Sequence, residues 1–310
     1  VVDASLIVIA YNERAHAPET VRSVLDQKTD ATFDLIVVDD GSTDNTAQAA
    51  TAAAGGDPRF RLVTLQANQG RGAARAAGVK VALGSVIGFV DADIELPADW
   101  LARCLAALPG NAAVSGIAVP DGDTAVVARI SGATVRPVPG SMPITGNNVL
   151  FDRAALEATG FDPRDRLGED FRLAHRMVAA GYRLHRVPGL MVQHHERKSY
   201  RAALLWRFAN GIDAATHPRE FGVIRFADVV WAGWLASWGI AVVGSTTANP
   251  WWLLLGVAAS VGVGILHAAT RFVPSPLGAF LLACIADIPM LNAYMLGRTF
   301  GIPRLVMDRR

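Results

Sequence analysis

The chain has 310 residues, of which 51% are hydrophobic and only 18% charged, with a formal net charge of +1. So apolar a chain buries enough surface to offset its ordering entropy, which excludes intrinsic disorder, and the balanced charge argues against a nucleic-acid binder. Two cysteines, Cys104 and Cys284, exclude a zinc cluster and a disulfide framework.

Strands and helices alternate from the start. Residues 6–10 read as a short apolar strand, and Pro18 suits the first turn of a helix reaching about Gln27. Residues 35–38 form a second strand ending in Asp39-Asp40. Ser42, Thr43 and Asp44 offer caps for a helix through about Ala54. Residues 61–65 read as a third strand, 72–83 as an Ala-rich helix, and 86–90 as a fourth strand ending at Asp91. Further on, Gly168-Glu169-Asp170 opens a helix over 169–180, and a strand around 186–192 leads into His194-His195. This order implies an α/β fold with a mostly parallel sheet and helices on both faces. Ligands on such sheets bind beyond the carboxyl ends of the strands. The polar clusters fall there: Asn12-Glu13, Asp39-Asp40, Asn68 and Asp91-Ala92-Asp93.

The charge is unevenly spread. From Phe226 to Gly297 only Asp228, Arg271 and Asp287 are charged. Three apolar runs, 227–247, 251–270 and 277–297, each approach the ~20 residues needed to cross ~30 Å of hydrocarbon. Asn249-Pro250 and Pro274-Ser275-Pro276 separate them. Trp251 and Trp252 sit where an interfacial belt would lie. The reading is a soluble domain over 1–220 and a helical membrane region over 221–310, with two or three spans. Arg197, Lys198, Arg201, Arg207, Arg219 and Arg225 precede the first run, which places the soluble domain on the cytoplasmic face of the plasma membrane. Asp287, Pro289 and Asn292 interrupt the third run, so a re-entrant or tightly packed segment is the alternative to a full span. The first ten residues carry no basic stretch and read as a strand rather than a secretory signal.

Asp91 and Asp93 are two apart and face one side of an extended strand end. Such a pair suits Mg²⁺ or Mn²⁺ bound to substrate phosphates, although a loop with a cap at Asp99 has the same composition. Asp170, in the first turn of a helix, is kept ionised by the helix dipole and is able to accept a proton. A neutral imidazole at His194 or His195 is a further potential metal ligand. No G-x-G-x-x-G follows the first strand, so the dinucleotide fingerprint is absent.

Residues 7–13 (Ile-Val-Ile-Ala-Tyr-Asn-Glu) and 37–46 (Val-Val-Asp-Asp-Gly-Ser-Thr-Asp-Asn-Thr), Asn68-Gln69-Gly70 with Ala73-Ala74-Arg75, Asp91-Ala92-Asp93, and Gly168-Glu169-Asp170 with Leu173 and Arg176 resemble, as an ordered set, glycosyltransferase family 2. The resemblance covers roughly residues 4–215. It implies the GT-A fold, a doubly wound mixed sheet, and inverting transfer of a sugar from a nucleotide diphosphate. By motif, Asp39, Asp40, Glu13, Ala10, Asn68, Arg75 and Asp91 would meet the nucleotide sugar. Asp91, Asp93 and His194 would hold the metal, with His195 as the fallback. Asp170 would be the general base, with Glu169 beside it facing the acceptor. Gly146, Asn147 and Trp100 would lie on the acceptor side, with the core as the equal alternative for Trp100.

The implied partners are a nucleotide-diphosphate sugar, a lipid-linked or other saccharide acceptor and membrane lipid, with no nucleic acid. Glu95, two residues after Asp93, matches the spacing of polyprenyl-phosphate sugar synthases. Their acceptor is already anionic and needs no base, so Gly168-Glu169-Asp170 favours a hydroxyl acceptor. A nucleotidyltransferase lacks support, because no Gly/Arg/Lys phosphate loop follows the first strand; a non-catalytic membrane protein that kept the fold is the other alternative.

Overall fold

The computed structural model describes residues 2–120, 126–131, 144–162, 168–195, 199–215, 226–246, 251–274 and 276–307. Two compact units emerge. The first comprises Val1–Asp121 with Pro137–Glu196, and the second comprises Gly122–Arg136 with Arg197–Arg310.

The first unit opens with β1 (Ala4–Ala10), α1 (Ala17–Leu25), β2 (Phe33–Asp39), α2 (Thr46–Ala54), β3 (Phe60–Thr64), α3 (Arg71–Val81) and β4 (Val86–Asp91). It continues with β5 (Ile94–Glu95), α4 (Trp100–Ala107) and β6 (Ala113–Pro120). After α5 (Val126–Ser131), which belongs to the other unit, come β7 (Asn148–Asp152), α6 (Arg153–Thr159), α7 (Glu169–Ala179) and β8 (Leu184–His194). The sheet order is β3-β2-β1-β4-β7-β6-β8-β5. The strands β3, β2, β1 and β4 run parallel, and β7 pairs antiparallel to β4, so the sheet is mixed.

Every residue of β1 and β2 is buried, as a strand covered on both faces requires. Successive side chains point to opposite faces, and the core divides accordingly. Leu6, Val8, Leu35 and Val37 pack with Val21, Val24 and Trp100 on one side. Ile7, Ile9, Ile36 and Val38 pack with Ala74, Phe89, Phe151 and Leu173 on the other. The parallel register aligns Ala10 with Asp39, and Ile9 with Asp91. The polar strand ends therefore share one edge of the sheet.

Helix α2 starts at Thr46, later than the hydroxyl run suggested, with Asn45 as a left-handed N-cap. The run is used elsewhere. Ser42 Oγ accepts the amide of Asn12 at 2.9 Å, Thr46 Oγ1 that of Glu13 at 2.9 Å, and Asp44 Oδ2 that of Arg14 at 3.1 Å. Three amides after β1 are thus satisfied by side chains after β2. Burial works against the Asp44 carboxylate, but hydrogen bonds from Thr46 and from the backbone at Arg14 outweigh it and hold its pKa below the usual value.

The second unit contains α5, α8 (Tyr200–Ala214), α9 (Phe226–Ser245), α10 (Trp251–Arg271) and α11 (Leu277–Met307). Helices α10 over Trp251–Arg271 and α11 over Leu277–Phe300 are long and apolar enough to cross a membrane, while the apolar stretch of α9, Asp228–Gly244, is shorter. The third apolar run forms one helix straight through Pro289. Residues 201–207 are helical, and α8 groups with the apolar helices instead of ending the soluble domain near 220. The reason is local packing: Gly211 and Gly297 let α8 and α11 approach until no Cβ would fit at either position, and Tyr200 Oη donates to the Ala286 carbonyl at 2.7 Å. Among the described residues of this unit, Arg298 pairs with the buried Asp228 and Arg271 with the buried Asp287. Glu196, Arg197, Lys198, Arg219, Arg225, Asn249, Pro250, Ser275, Arg309 and Arg310 lie outside the described residues.

Candidate active site

A cavity of about 380 Å³ opens at the carboxyl edge of β1, β2 and β4. Ala10, Glu13, Asp40, Asn68, Gly70, Arg71, Asp91 and Asp93 are among its lining residues.

Asp40 holds one wall. Its Oδ1 accepts the Gln69 amide at 2.8 Å and its Oδ2 the Gly70 amide at 2.9 Å, which fixes the segment entering α3. That segment passes so close to Gly41 that a Cβ there would stand 2.6 Å from the Ala67 backbone, and Gly41 has φ +71°. Only glycine satisfies both demands without strain. Asp39, one residue earlier, points the other way. Its Oδ1 accepts the Ser42 amide at 3.2 Å, outside the cavity.

Helix α3 brings two arginines to one face, since Arg71 and Arg75 are four residues apart. Arg75 is buried and ion-paired with the buried Glu169. Its Nη2 also donates to Asp91 Oδ1 at 3.2 Å and to the Gly146 carbonyl at 2.9 Å. The guanidinium stands 5.4 Å from the Phe161 ring centroid and 5.7 Å from that of Phe89. Arg71 is more exposed, yet its charge meets those of four carboxylates. Asp91 above all, then Glu169, Asp170 and Asp93, raise its pKa, against the opposing effect of burial.

The carboxylates divide by environment. Burial is the largest influence on Asp91 and raises its pKa, opposed by Arg71 and Arg75. Burial likewise raises Glu169, opposed first by Arg75. Asp170 is half-buried, at the start of α7. Its Oδ2 accepts the Gly146 amide at 2.9 Å and its Oδ1 accepts the Phe171 amide at 2.8 Å. A carboxylate oxygen has two acceptor sites, so Asp170 can accept further hydrogen bonds. Gly146 is the hub, with its amide on Asp170 and its carbonyl on Arg75. A Cβ at Gly146 would stand 2.8 Å from Arg75 and 2.9 Å from Asp170. Asn147 joins through its backbone, whose carbonyl accepts the Asp91 amide at 3.1 Å.

Two expectations are corrected. Trp100 is fully buried in the core between the sheet and α1, so it is not on an acceptor surface; an indole at the first turn of α4 is better accommodated in that apolar layer. Glu169 does not face outward beside Asp170. It turns inward to neutralise Arg75, because a guanidinium at that depth requires a counter-charge.

The metal candidates lie close together. Asp91 and Asp93 both line the cavity, and His194 Nε2 stands 3.2 Å from Asp93 Oδ2. The pairing of β5 with β8 sets this, matching Ile94 with His194. His195 goes elsewhere, with its Nε2 3.2 Å from Glu95 Oε2 and its ring stacked on His16. Among the described residues no group of three or more His, Cys, Asp and Glu closes on one point. Asp91 and Asp93, both in the lining, fit an ion whose other positions go to substrate phosphate and water.

Tyr11 and Ala74, which the motifs include, line the cavity, and Phe161 lies against Arg75. Asn148 is buried, and its Oδ1 accepts the Gly116 amide at 2.7 Å. The four-residue spacing of Arg71 and Arg75 was the readable signal for a shared site on α3.

The mixed sheet has the GT-A fold of its solved structural neighbours. The family model for glycosyl transferase family 2 matches residues 5–154, and that for glycosyl transferase family group 2 matches residues 86–296. The chain belongs to glycosyltransferase family 2 and is an enzyme of that family. It is 32% identical over 245 residues to succinoglycan biosynthesis protein ExoO of Rhizobium meliloti, covering 73% of this chain and 69% of the relative. It is 25% identical over 232 residues to undecaprenyl-phosphate 4-deoxy-4-formamido-L-arabinose transferase of Pectobacterium atrosepticum, covering 73% of this chain and 63% of the relative. Among solved structures, mannosyltransferase PcManGT from Pyrobaculum calidifontis, in complex with GDP-Man and Mn²⁺, superposes with a TM-score of 0.60 at 23% identity, over 99% of this chain and 88% of that one.

Proposed function

We propose that the chain is a membrane-bound, inverting glycosyltransferase that moves a sugar from a nucleotide diphosphate to a hydroxyl of a lipid-linked or cell-envelope saccharide. The observation that carries this reading is the gathering of Asp91, Asp93, Glu169 and Asp170 about Arg71, beside a cavity walled by Asp40. The named relatives act in succinoglycan biosynthesis and on undecaprenyl phosphate, which supports an envelope saccharide as the product class.

Each residue has a task. Ala10, Glu13, Asp40 and Asn68 shape the nucleotide pocket, and Asp39 serves it indirectly by bracing the turn through the Ser42 amide. Asp91, Asp93 and His194 would hold Mg²⁺ or Mn²⁺, an ion that neutralises charge developing on a diphosphate leaving group. Arg71 lines the same cavity and adds positive charge for that diphosphate. Asp170 takes the proton of the acceptor hydroxyl as it attacks the anomeric carbon. Attack opposite the leaving group inverts that carbon. Arg75 and Glu169 form a neutralised pair that holds the Gly146 carbonyl and Asp91 in place. Gly146 and Asn147 support the acceptor side by positioning Asp170 and Asp91.

Helices α10 and α11 support membrane attachment through more than one span, and the arginines and lysine before the first apolar run support a cytoplasmic catalytic unit. A phosphate acceptor is the second reading, favoured by the undecaprenyl-phosphate relative but opposed by a base at Asp170. The test incubates membranes containing the full chain with a panel of sugar nucleotides. Released nucleoside diphosphate and new glycolipids are then read by mass spectrometry. Release of diphosphate with a sugar joined through a hydroxyl supports the proposal; pyrophosphate release, or no transfer with any donor, refutes it.

A further inference from the structure

Asp93 is held by one hydrogen bond on each side of its Cα. The peptide before it is fixed by the buried Thr20, whose Oγ1 donates to the Ala92 carbonyl at 2.8 Å. The peptide after it is fixed by the His195 amide, which donates to the Asp93 carbonyl at 2.8 Å. Two flanking peptide planes that cannot turn leave the Asp93 backbone little freedom, because φ and ψ are its only soft torsions. Of these two restraints, only that of Thr20 comes from a side chain. A threonine inside a helix commonly returns its hydroxyl to a carbonyl of its own helix, as Ser23 Oγ does to the Thr20 carbonyl at 2.9 Å. The Thr20 hydroxyl instead bonds a carbonyl 72 residues further along the chain.

The same face of α1 continues the pattern. Ser23 Oγ accepts the Leu96 amide at 3.1 Å. Gln27, just past the helix, accepts the Leu101 amide on Oε1 at 2.8 Å and donates Nε2 to the Pro97 carbonyl at 2.8 Å. Positions 20, 23 and 27 share one side of a helix, so a polar stripe follows the chain from Ala92 to Leu101. Thr20 is its end nearest the two acidic residues. Ala17, Val21 and Val24, buried on the same helix, are apolar. A valine at position 20 would fill the same space, and only the hydroxyl answers the Ala92 carbonyl.

We propose that Thr20 is a positioning residue for the metal–diphosphate site: it holds the Ala92–Asp93 peptide so that Asp91 and Asp93 present their carboxylates to one ion. The inference rests on the metal site proposed above. Asp91 is fixed independently, through its amide on the Asn147 carbonyl and through Arg75 on its Oδ1. Loss of the Thr20 hydroxyl therefore loosens Asp93 against a fixed Asp91. Groups that support a metal ligand from behind commonly change metal affinity by about 10–100-fold, since a site works only when its ligands are held to within about 0.5 Å.

The test is a series at position 20 in the full-length protein in detergent. Mn²⁺ is titrated with UDP and then GDP present, free ion is read by electron paramagnetic resonance, and Tm is measured alongside. Thr20→Val keeps the shape and removes the donor, and should weaken Mn²⁺ binding by about tenfold or more. Thr20→Ser keeps the hydroxyl and should bind like the unmodified chain. Thr20→Cys, with its weaker S–H donor, should fall between them, and it carries the test if Thr20→Val does not fold. Gln27→Met removes the far end of the stripe; it should lower Tm and leave Mn²⁺ affinity unchanged. A purely structural Thr20 would lower Tm without moving Mn²⁺ affinity. That result overturns the proposal, as do Thr20→Ser binding as weakly as Thr20→Val and Gln27→Met losing as much affinity. An unmodified chain that binds no Mn²⁺ with either nucleotide refutes the metal site itself, and this inference with it.

Discussion

Replacing Arg75 with leucine removes the cation from a buried pair. Glu169 then loses its ion-pair partner, and Arg71 is left as the nearby cation for both Glu169 and Asp91. Breaking one side of a buried ion pair costs about 3–5 kcal/mol. At roughly 2–4 °C per kcal/mol for a unit of 150–250 residues, Tm should fall by about 6–20 °C. Two further measurements isolate the cause. Arg75→Leu combined with Glu169→Leu removes the stranded charge, and the double variant should be more stable than Arg75→Leu alone. The loss should also depend on pH. Burial already raises the Glu169 pKa against the pull of Arg75 first and Arg71 after it, and without Arg75 that opposition is weaker. A carboxyl whose native pKa exceeds its unfolded one binds protons more readily when folded. The variant therefore gains stability as pH falls through that native value, and its Tm gap to the unmodified chain should narrow from about pH 8 to about pH 5. Differential scanning fluorimetry of full-length protein in detergent reads both effects. A gap that stays constant with pH, or a double variant less stable than the single one, would refute the assignment of Glu169 as a buried counter-ion.

Other substitutions test other parts of the site. Asp170→Asn preserves a hydrogen-bond acceptor for Gly146 and should keep donor binding, while kcat falls by about 10²–10⁴; steady-state kinetics with a donor titration separate the two. Gly41→Ala should destabilise the chain more than Gly55→Ala. Both have positive φ, but only Gly41 has backbone within 3 Å of the added Cβ; thermal unfolding of the pair isolates that clash, and donor affinity should fall only for Gly41→Ala. Asp44, with its lowered native pKa, contributes stability that is present above its ordinary value of 3.8 and lost as pH falls through the native one. Asp44→Asn should flatten the acid limb of a Tm-versus-pH curve, and an unchanged limb would show that the Asp44 hydrogen bonds are not formed in solution.

Much of the first unit was legible from local pattern. Strands β1 and β2 read as continuous apolar runs because both faces are covered, and their acidic ends marked the sheet edge that ligands use. Asp91 and Asp93 could be placed together, since a two-residue spacing at a strand end fixes a common side. What could not be read was which polar residues turn inward. Asp39 and Asp40 are adjacent in sequence but lie on opposite sides of the strand, so only one lines the cavity. Glu169 and Asp170 are likewise adjacent, and the depth of Arg75 decides which of them becomes a counter-ion. Ser42, Thr43 and Asp44 looked like helix caps, yet Ser42 and Asp44, with Thr46, satisfy amides some 30 residues earlier in the chain. Such pairing depends on the parallel register of β1 with β2, which no local window contains. The split near 220 followed charge density, whereas α8 groups with the apolar helices through glycines whose role appears only when the helices cross.

The central claim is that Asp93 serves a metal–diphosphate site while Asp170 serves the acceptor. Mn²⁺ binding by the full chain, titrated by electron paramagnetic resonance with UDP and then GDP present, tests it most directly. The account predicts nucleotide-dependent Mn²⁺ binding that survives Asp170→Asn and is lost in Asp93→Asn. Equal loss in both variants, or undiminished binding in Asp93→Asn, would contradict it.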